Sequence, residues 1–328
     1  MDNTPLMNIL ITGACGFVGS SLVPYLLKKG HYIRSFDTEW FGNNLPSDQR
    51  LTHEKKDIRL LDQADFEGID SVIHLANIAN DPGVELNTDL SWEVNVLATY
   101  KLAELAAHAK VKTFIYASSG SVYGVKEEEQ VTEDLSLVPI SVYNKTKMIS
   151  ERVLLSYQDK MKIINVRPAT VCGFSPRMRL DVSVNMLTFQ ALQNKKITVF
   201  GGDQVRPNIH IKDMIRVYEH FLLKASSLKS GNYNAGFENM SILAIAELIQ
   251  SKVPSEIVVT QSNDPRSYRQ NSDKLLKTDF LKSFSVEDAI EEIIEKYYEN
   301  KIEDRDEYYT VKTMKNLDLS SHGIKSTS

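Results

Sequence analysis

Cysteine and tryptophan are nearly absent, with two of each in 328 residues. Two thiols, Cys15 and Cys172, cannot make a disulfide framework. Their scarcity points to a reducing compartment, so a cytoplasmic location is expected. The histidines, among them His74, His108, His210 and His220, stand at no zinc-ligand spacing, and no metal is expected. No uninterrupted apolar run reaches the length of a membrane span. The N-terminus reads as a strand, Met7-Asn-Ile-Leu-Ile-Thr12, and not as a signal peptide. Excess positive charge is missing too. A formal net charge of -5 speaks against a nucleic-acid partner, while leaving room for a locally basic pocket that takes a small anion. Repeats and low-complexity linkers are lacking.

What is present is an ordinary globular composition, long enough for a large core in one or two domains. Short apolar runs alternate with amphipathic stretches through the first half. Strands are expected at Met7–Ile11, Tyr32–Phe36, Ser71–Leu75, Thr113–Ala117 and Lys162–Val166. Helices are expected at Gly19–Lys29, Trp92–Ala109 and Val142–Tyr157. This order is βαβ repetition, so the fold class is α/β with a Rossmann-like, doubly wound parallel sheet. After Arg167-Pro168 the pattern is irregular. Helices are expected at Met186–Gln193, Asp213–Lys224 and Ile242–Val253, and strands at Ile197–Phe200, Asn232–Ala235 and Ile257–Thr260. A capping box, Ser285-Val-Glu-Asp288, opens a further helix to about Asn300.

Thr12-Gly13-Ala-Cys-Gly16-Phe-Val-Gly19 stands where the first strand becomes the first helix. Glycines at this spacing permit a tight turn, a close backbone approach to phosphate and close helix–strand packing. Phe17, Val18 and Gly19 would offer a helix N-terminus to a pyrophosphate. Asp37 ends the second strand. A carboxylate there accepts hydrogen bonds from a ribose and repels a 2′-phosphate, which favours NAD over NADP. Capping a turn is its other reading. Arg34 lies inside the strand, a poor place from which to meet a 2′-phosphate.

Tyr143 and Lys147 share one face of a helix. An ammonium beside a phenol is expected to lower the phenol's pKa and make it a usable acid or base. The spacing alone selects nothing, because Tyr25/Lys29, Tyr297/Lys301 and Tyr308/Lys312 repeat it. Only Tyr143 has the glycine loop, Asp37 and a serine-rich strand end upstream.

Together these residues resemble the extended short-chain dehydrogenase/reductase family, in its nucleotide-sugar epimerase/dehydratase branch, over about residues 7–300. The family's loop matches Gly13, Gly16 and Gly19, and its ribose acid matches Asp37. Its Asp-hydrophobic pair, expected near the adenine, matches Asp57-Ile58. His74-Leu75-Ala76 is similar to its fourth strand end, and Asn95 to its helical asparagine. Ser118-Ser119-Gly-Ser-Val-Tyr-Gly124 resembles its serine signature, and Tyr143 with Lys147 its catalytic pair. The resemblance implies NAD as cofactor and hydride transfer at a sugar carbon. Ser119 would bond the sugar hydroxyl, with Ser121 as the alternative. Tyr143 would move the proton, and Lys147 would hold the nicotinamide ribose.

Neighbouring positions narrow the chemistry that the resemblance implies. The family's 4,6-dehydratases carry Asp-Glu where this chain has Gly120-Ser121. Its decarboxylases keep Glu at the position of Ser121, and its 3,5-epimerase/reductases a Cys near Gly120. Redox at one carbon, C4, is left. The implied activity is a nucleotide-sugar 4-epimerase serving polysaccharide biosynthesis. The alternatives are a 4-dehydrogenase or 4-ketoreductase, or a non-catalytic NAD sensor.

By the same resemblance, Arg206, Asn185 and Arg266 would face the substrate diphosphate. Arg177 and Arg179 stand in a basic loop that either shapes the sugar pocket or braces itself. Cys172 either touches substrate or is a structural thiol, and His210 reads as a packing residue. The implied domains are residues 1–169 with about 205–236 for NAD, about 170–204 with 237–300 for the sugar, and a polar tail, 301–328. Tyr308, Tyr309 and Val311 give that tail something to dock with, while its last residues are expected to be disordered. The implied partners are the nucleotide-diphosphate sugar and a second copy of the chain, with no nucleic acid and no membrane. The homodimer would form through the helices Trp92–Ala109 and Val142–Tyr157.

Overall fold

The fold is seen in a computed structural model that describes residues 5–261, 267–317 and 319. In chain order its strands are β1 (Asn8–Thr12), β2 (Tyr32–Asp37), β3 (Leu51–Lys55), β4 (Ser71–His74), β5 (Thr113–Ala117), β6 (Lys162–Pro168), β7 (Thr170–Cys172), β8 (Lys196–Phe200), β9 (Val205–His210), β10 (Gly231–Ala235), β11 (Glu238–Ser241) and β12 (Glu256–Thr260). Seven of them make one sheet in the order β10-β6-β5-β4-β1-β2-β3, every pairing parallel. The expected doubly wound sheet is therefore present. Chain order reverses between β1 and β4, and a crevice at the carboxyl ends of the strands is the physical result.

Helices cover both faces. They are α1 (Gly19–Lys28), α2 (Asp81–Glu85), α3 (Thr88–Trp92), α4 (Ala98–His108), α5 (Val142–Leu155), α6 (Ser183–Asn194), α7 (Ile211–Lys224), α8 (Ile242–Lys252), α9 (Asp273–Leu276), α10 (Val286–Tyr298) and α11 (Thr310–Asn316). One face buries Leu22, Leu26, Met214 and Phe221 of α1 and α7 against Ile9, Ile11 and Ile164 of the sheet. The other buries Leu102 and Ala106 of α4 against Leu10, Val72 and Phe114. A separate core joins α6, α8 and α10 around Ile197 and Val199 of β8. A small sheet, β11-β9-β7, and the pair β12-β8 complete the second region. Ser285 caps α10 through the expected box.

Two of the differences from the expected elements lie at the cleft or behind its wall. The single helix Trp92–Ala109 is instead α3, a π-helical turn at Glu93–Leu97, and α4. The backbone oxygen of Asn95 accepts from the hydroxyls of Thr99 and Ser150, both at 2.7 Å. A wide turn leaves room for those two donors. The polar tail holds α11, whose Met314 packs with Ile78, Val84, Leu90 and Leu319. No described helix is long and apolar enough to cross a membrane.

Candidate active site

The glycine loop leaves β1 with Gly13 at φ +73°. A Cβ on Gly13 would meet the Ala76 amide at 2.5 Å, and one on Gly19 would meet the Gly13 carbonyl at 2.3 Å. Both positions therefore demand glycine. At the start of α1 no side chain caps the helix, and its first turn carries no acid. The amides of Phe17, Val18 and Gly19 have no backbone acceptor among the described residues. Unspent donors at a helix N-terminus suit a pyrophosphate.

Asp37, at the end of β2, accepts from the Cys15 amide at 3.0 Å and the Glu39 amide at 2.7 Å. Burial raises its pKa, and those two bonds oppose the rise. Below it, Cys15 Sγ, Glu39 and His53 bring three potential metal-ligand atoms together. Linear spacing does not show this, because the three meet only through β1, β2 and β3. Arg34 turns away from the loop and donates to the carbonyls of Asp65 at 2.8 Å and Glu67 at 3.2 Å.

Ser119 stands after β5 with its hydroxyl 2.7 Å from Ser121 Oγ, which donates to Asn144 Oδ1 at 2.6 Å. Asn144 is one residue after Tyr143 on α5, so one hydrogen-bonded chain links the serine turn to the catalytic helix. Ser141 caps that helix and donates to Asp81 at 2.6 Å. Behind it, Glu151 takes a bidentate bond from buried Arg167 of β6, at 2.8 and 2.7 Å. Ser118 donates to the same carboxylate. This pairing fixes α5 against the sheet and thus sets where Tyr143 and Lys147 stand.

The expected depression of the Tyr143 pKa is not what the structure shows. Burial pushes the phenol up to about 12, against the pull of Ser119 and Arg179. Lys147 spends its ammonium on the Ala117 carbonyl at 2.5 Å and lies 5.7 Å from the Tyr143 ring centroid. Burial brings its own pKa down to about 7. Each group suffers the desolvation of its charged form before any ligand is bound.

One cleft, with a cavity volume of about 930 Å³, takes in Gly13, Gly16 to Gly19, Leu75, Ser119, Tyr143, Lys147 and Arg206, while Asp37 lies outside its lining. The chain matches the model of the NAD dependent epimerase/dehydratase family over residues 9–236. The chain belongs to that family. Its members are NAD-dependent enzymes. The chain is 34% identical to "Uncharacterized UDP-glucose epimerase YtcB" of Bacillus subtilis over 74% of its own length and 81% of the relative's. It is 25% identical to a UDP-glucose 4-epimerase of Lactobacillus helveticus, over 82% and 89% of the two chains. Among solved structures, the UDP-glucuronic acid 4-epimerase of Bacillus cereus, in complex with UDP-glucuronic acid and NAD, superposes with a TM-score of 0.77. It shares 29% identity, with 88% of this chain and 99% of that one covered.

The epimerase/dehydratase cleft leaves several expected residues outside it. Asn95 is buried and clamps the Ile78 backbone, accepting from its N–H at 2.9 Å and donating to its carbonyl at 3.1 Å. Asp57 holds Arg59, and Ile58 lies in the core. Asn185 is spent on the backbone of Gly173 and Arg179. All four act from behind the wall. Ala76 borders the Gly13 turn. Arg266 lies outside the described residues. Cys172 is a buried core thiol on the Ile209 carbonyl. His210 caps α7 and lies against Phe284.

Residues that motif reading misses complete the cleft: Trp40, Phe41, Asn77 to Pro82, and Tyr309 to Lys312 with Met314 and Lys315. Only the two apolar aromatics after Asp37 and the tyrosines of the tail signal them in the sequence. Arg177 and Arg179 line the cleft as well. The Leu180 amide donates to the Tyr308 carbonyl at 2.9 Å, and Asp181 accepts from the Thr310 amide at 2.8 Å. The basic loop and the tail are thus joined.

Proposed function

We propose that this enzyme is a UDP-sugar 4-epimerase that inverts one carbon by reversible oxidation. The observation that carries the reading is the serine turn. Ser119, Ser121 and Asn144 form a neutral hydroxyl chain beside Tyr143, with no carboxylate built into it. A Cβ on Gly120 would stand 3.1 Å from the Gln270 amide nitrogen and 3.2 Å from the Pro168 carbonyl, so the turn is tight around this position. The described carboxylates that line the cleft, Asp81 and Asp181, are engaged by Ser141 and by Arg179 and Thr310. Elimination and decarboxylation therefore lack their acid–base groups at this turn, and proton transfer by Tyr143 is what the site retains.

NAD supplies a hydride acceptor and a positive charge when bound. The chain does the rest. Ser119 fixes the sugar hydroxyl, and Tyr143 takes its proton and later returns one to the same oxygen, inversion coming from the return of hydride to the carbon's opposite face. Lys147 holds the ribose and, when protonated, favours the phenolate. Phe17, Val18 and Gly19 take the cofactor's pyrophosphate, and Asp37 its ribose. Arg206, whose side chain lines the cleft, meets the substrate diphosphate, and Arg266 is assigned the same task. Asn185 serves that diphosphate indirectly, by holding the Gly173–Arg179 loop.

The same reading places the enzyme in the cytoplasm, in polysaccharide biosynthesis, and as a homodimer. Leu97 and Tyr100 are exposed at 61% and 46% beside α4 and provide an apolar surface for a second copy. The deciding experiment incubates the protein with UDP-, GDP-, dTDP- and CDP-sugars and follows product by NMR and reduced nicotinamide by absorbance. An inverted centre on a UDP-sugar without net reduced cofactor is expected. Reduced cofactor in proportion to product would make the enzyme a 4-dehydrogenase, and no turnover on any sugar would overturn the reading.

A further inference from the structure

Arg177 is 3% exposed, yet no carboxylate of the described residues forms an ion pair with it. Its Nε is buried without a hydrogen-bond partner. Among the described residues its only side-chain bond runs from Nη2 to the Thr310 hydroxyl at 3.1 Å, and its guanidinium lies over the Phe41 ring at 4.1 Å. Burial and the like charge of Arg179 pull its pKa down to about 9, against the nearby carboxylates of Asp181 and Asp37, neither of which bonds it, and it stays charged at neutral pH. An unpaired buried cation is costly unless an anion joins it.

The backbone ties Arg177 to one end of the cleft. The Arg177 amide donates to Ser20 Oγ at 3.2 Å, and Ser175 Oγ donates to the Phe17 carbonyl at 2.7 Å. Ser20 and Ser21 hydroxyls each meet Ser175 Oγ at 2.9 Å. The segment Ser175–Arg177 is therefore stapled to the first turn of α1, where the Phe17, Val18 and Gly19 amides stand unspent. Phe41, which carries the guanidinium, follows the ribose acid Asp37. All of this belongs to the cofactor end of the cleft, while Arg206 stands apart on β9. We propose that Arg177 binds the pyrophosphate of NAD, closing over it opposite the glycine loop, and that Thr310 of the tail holds the guanidinium in place.

A guanidinium and a helix N-terminus on opposite sides of one diphosphate would share its two negative charges. The test measures bound dinucleotide and affinity for NAD by calorimetry in the full chain. Arg177→Met keeps the side chain's bulk and removes its charge. Affinity for NAD is expected to fall about tenfold to a hundredfold, with Arg177→Lys in between and Thr310→Val showing a smaller loss. The melting temperature of the cofactor-free Arg177→Met protein is expected to equal or exceed that of the parent, because an unpaired buried charge is gone. UDP affinity at saturating NAD is expected to stay unchanged. Parental NAD affinity in Arg177→Met would overturn the proposal. So would a loss confined to UDP, which would assign the guanidinium to the substrate's diphosphate. A lower cofactor-free melting temperature together with weak binding would make Arg177 a structural brace. Should Arg177→Met fail to fold, Arg177→Lys and Thr310→Val carry the same test, and parental NAD affinity in both would sink it.

Discussion

The two walls of the cleft are built by different rules. The sheet-side wall is local: the glycine loop, Asp37, the serine turn and Tyr143/Lys147 each sit at one strand end or on one helix. Its backbone donors are left unspent. The opposite wall is assembled from segments far apart in sequence, with Thr310 reaching Arg177 and Asp181. Its polar groups are largely spent on one another, Asp181 taking both Arg179 and the Thr310 amide. A wall of local motifs confines damage to chemistry and cofactor. A wall of mutual contacts spreads damage along itself.

The sharpest break of that contrast is Tyr143→Phe. It is expected to lower kcat by about a thousandfold or more with full cofactor content and an unchanged melting temperature. Turnover near that of the parent would remove Tyr143 from the chemistry. Next in size, Gly19→Ala drives a Cβ into the Gly13 and Ala14 carbonyls at 2.3 and 2.6 Å. The expected result is protein purified without bound dinucleotide, read by releasing and quantifying the nucleotide.

On the far wall, Met314→Ala is expected to cost about 2–3 kcal/mol in denaturant unfolding and to weaken cofactor binding as well. A stability loss with cofactor affinity intact would show that the walls are uncoupled. The pH dependence of the cofactor-free protein is a milder effect. Lys147 has a folded pKa of about 7 against an ordinary 10.5, so between these values the unfolded chain holds more protons. Stability therefore rises with pH across that window, by at most about 1.4 kcal/mol per unit. Lys147→Met should flatten the rise, and an unaltered slope would contradict the buried, half-neutral lysine. Smallest of all, Tyr297→Phe removes only a surface bond to Gln193. It is expected to shift stability by less than about 0.5 kcal/mol and to leave turnover alone, which separates that Tyr/Lys pair from Tyr143/Lys147.

What was legible in the sequence follows the same divide. Six of the seven strands of the main sheet declare themselves, chiefly through apolar runs such as Thr113–Ala117, and the glycine loop does so through local backbone demands. β3 and β9 escape notice because Leu51-Thr-His-Glu-Lys55 and Val205-Arg-Pro-Asn-Ile-His210 are polar and carry no alternation. The π-turn at Asn95 is set by two hydroxyls on other turns, invisible to a helical period. The Tyr143 pKa was misjudged because spacing reports a neighbouring charge, while desolvation depends on everything packed around the pair. Asn95 and Asp57 are expected as cofactor contacts and Asn185 as a diphosphate contact, whereas each side chain is bonded within the protein, because a side chain's direction is not in the sequence. The tail's part in the cleft depends on Met314 finding Ile78 and Val84, a long-range match that no local pattern encodes.

The position of α11 has a consequence for the order in which the cleft comes into being. Synthesis runs from the N-terminus, so the glycine loop and Asp37 emerge early, and Tyr309 to Lys315 emerge after almost all the other described residues. A nascent chain thus presents one half of its dinucleotide grip long before the other half exists. If Arg177 and Thr310 hold the cofactor as proposed, its tight capture is a late event in the life of the chain.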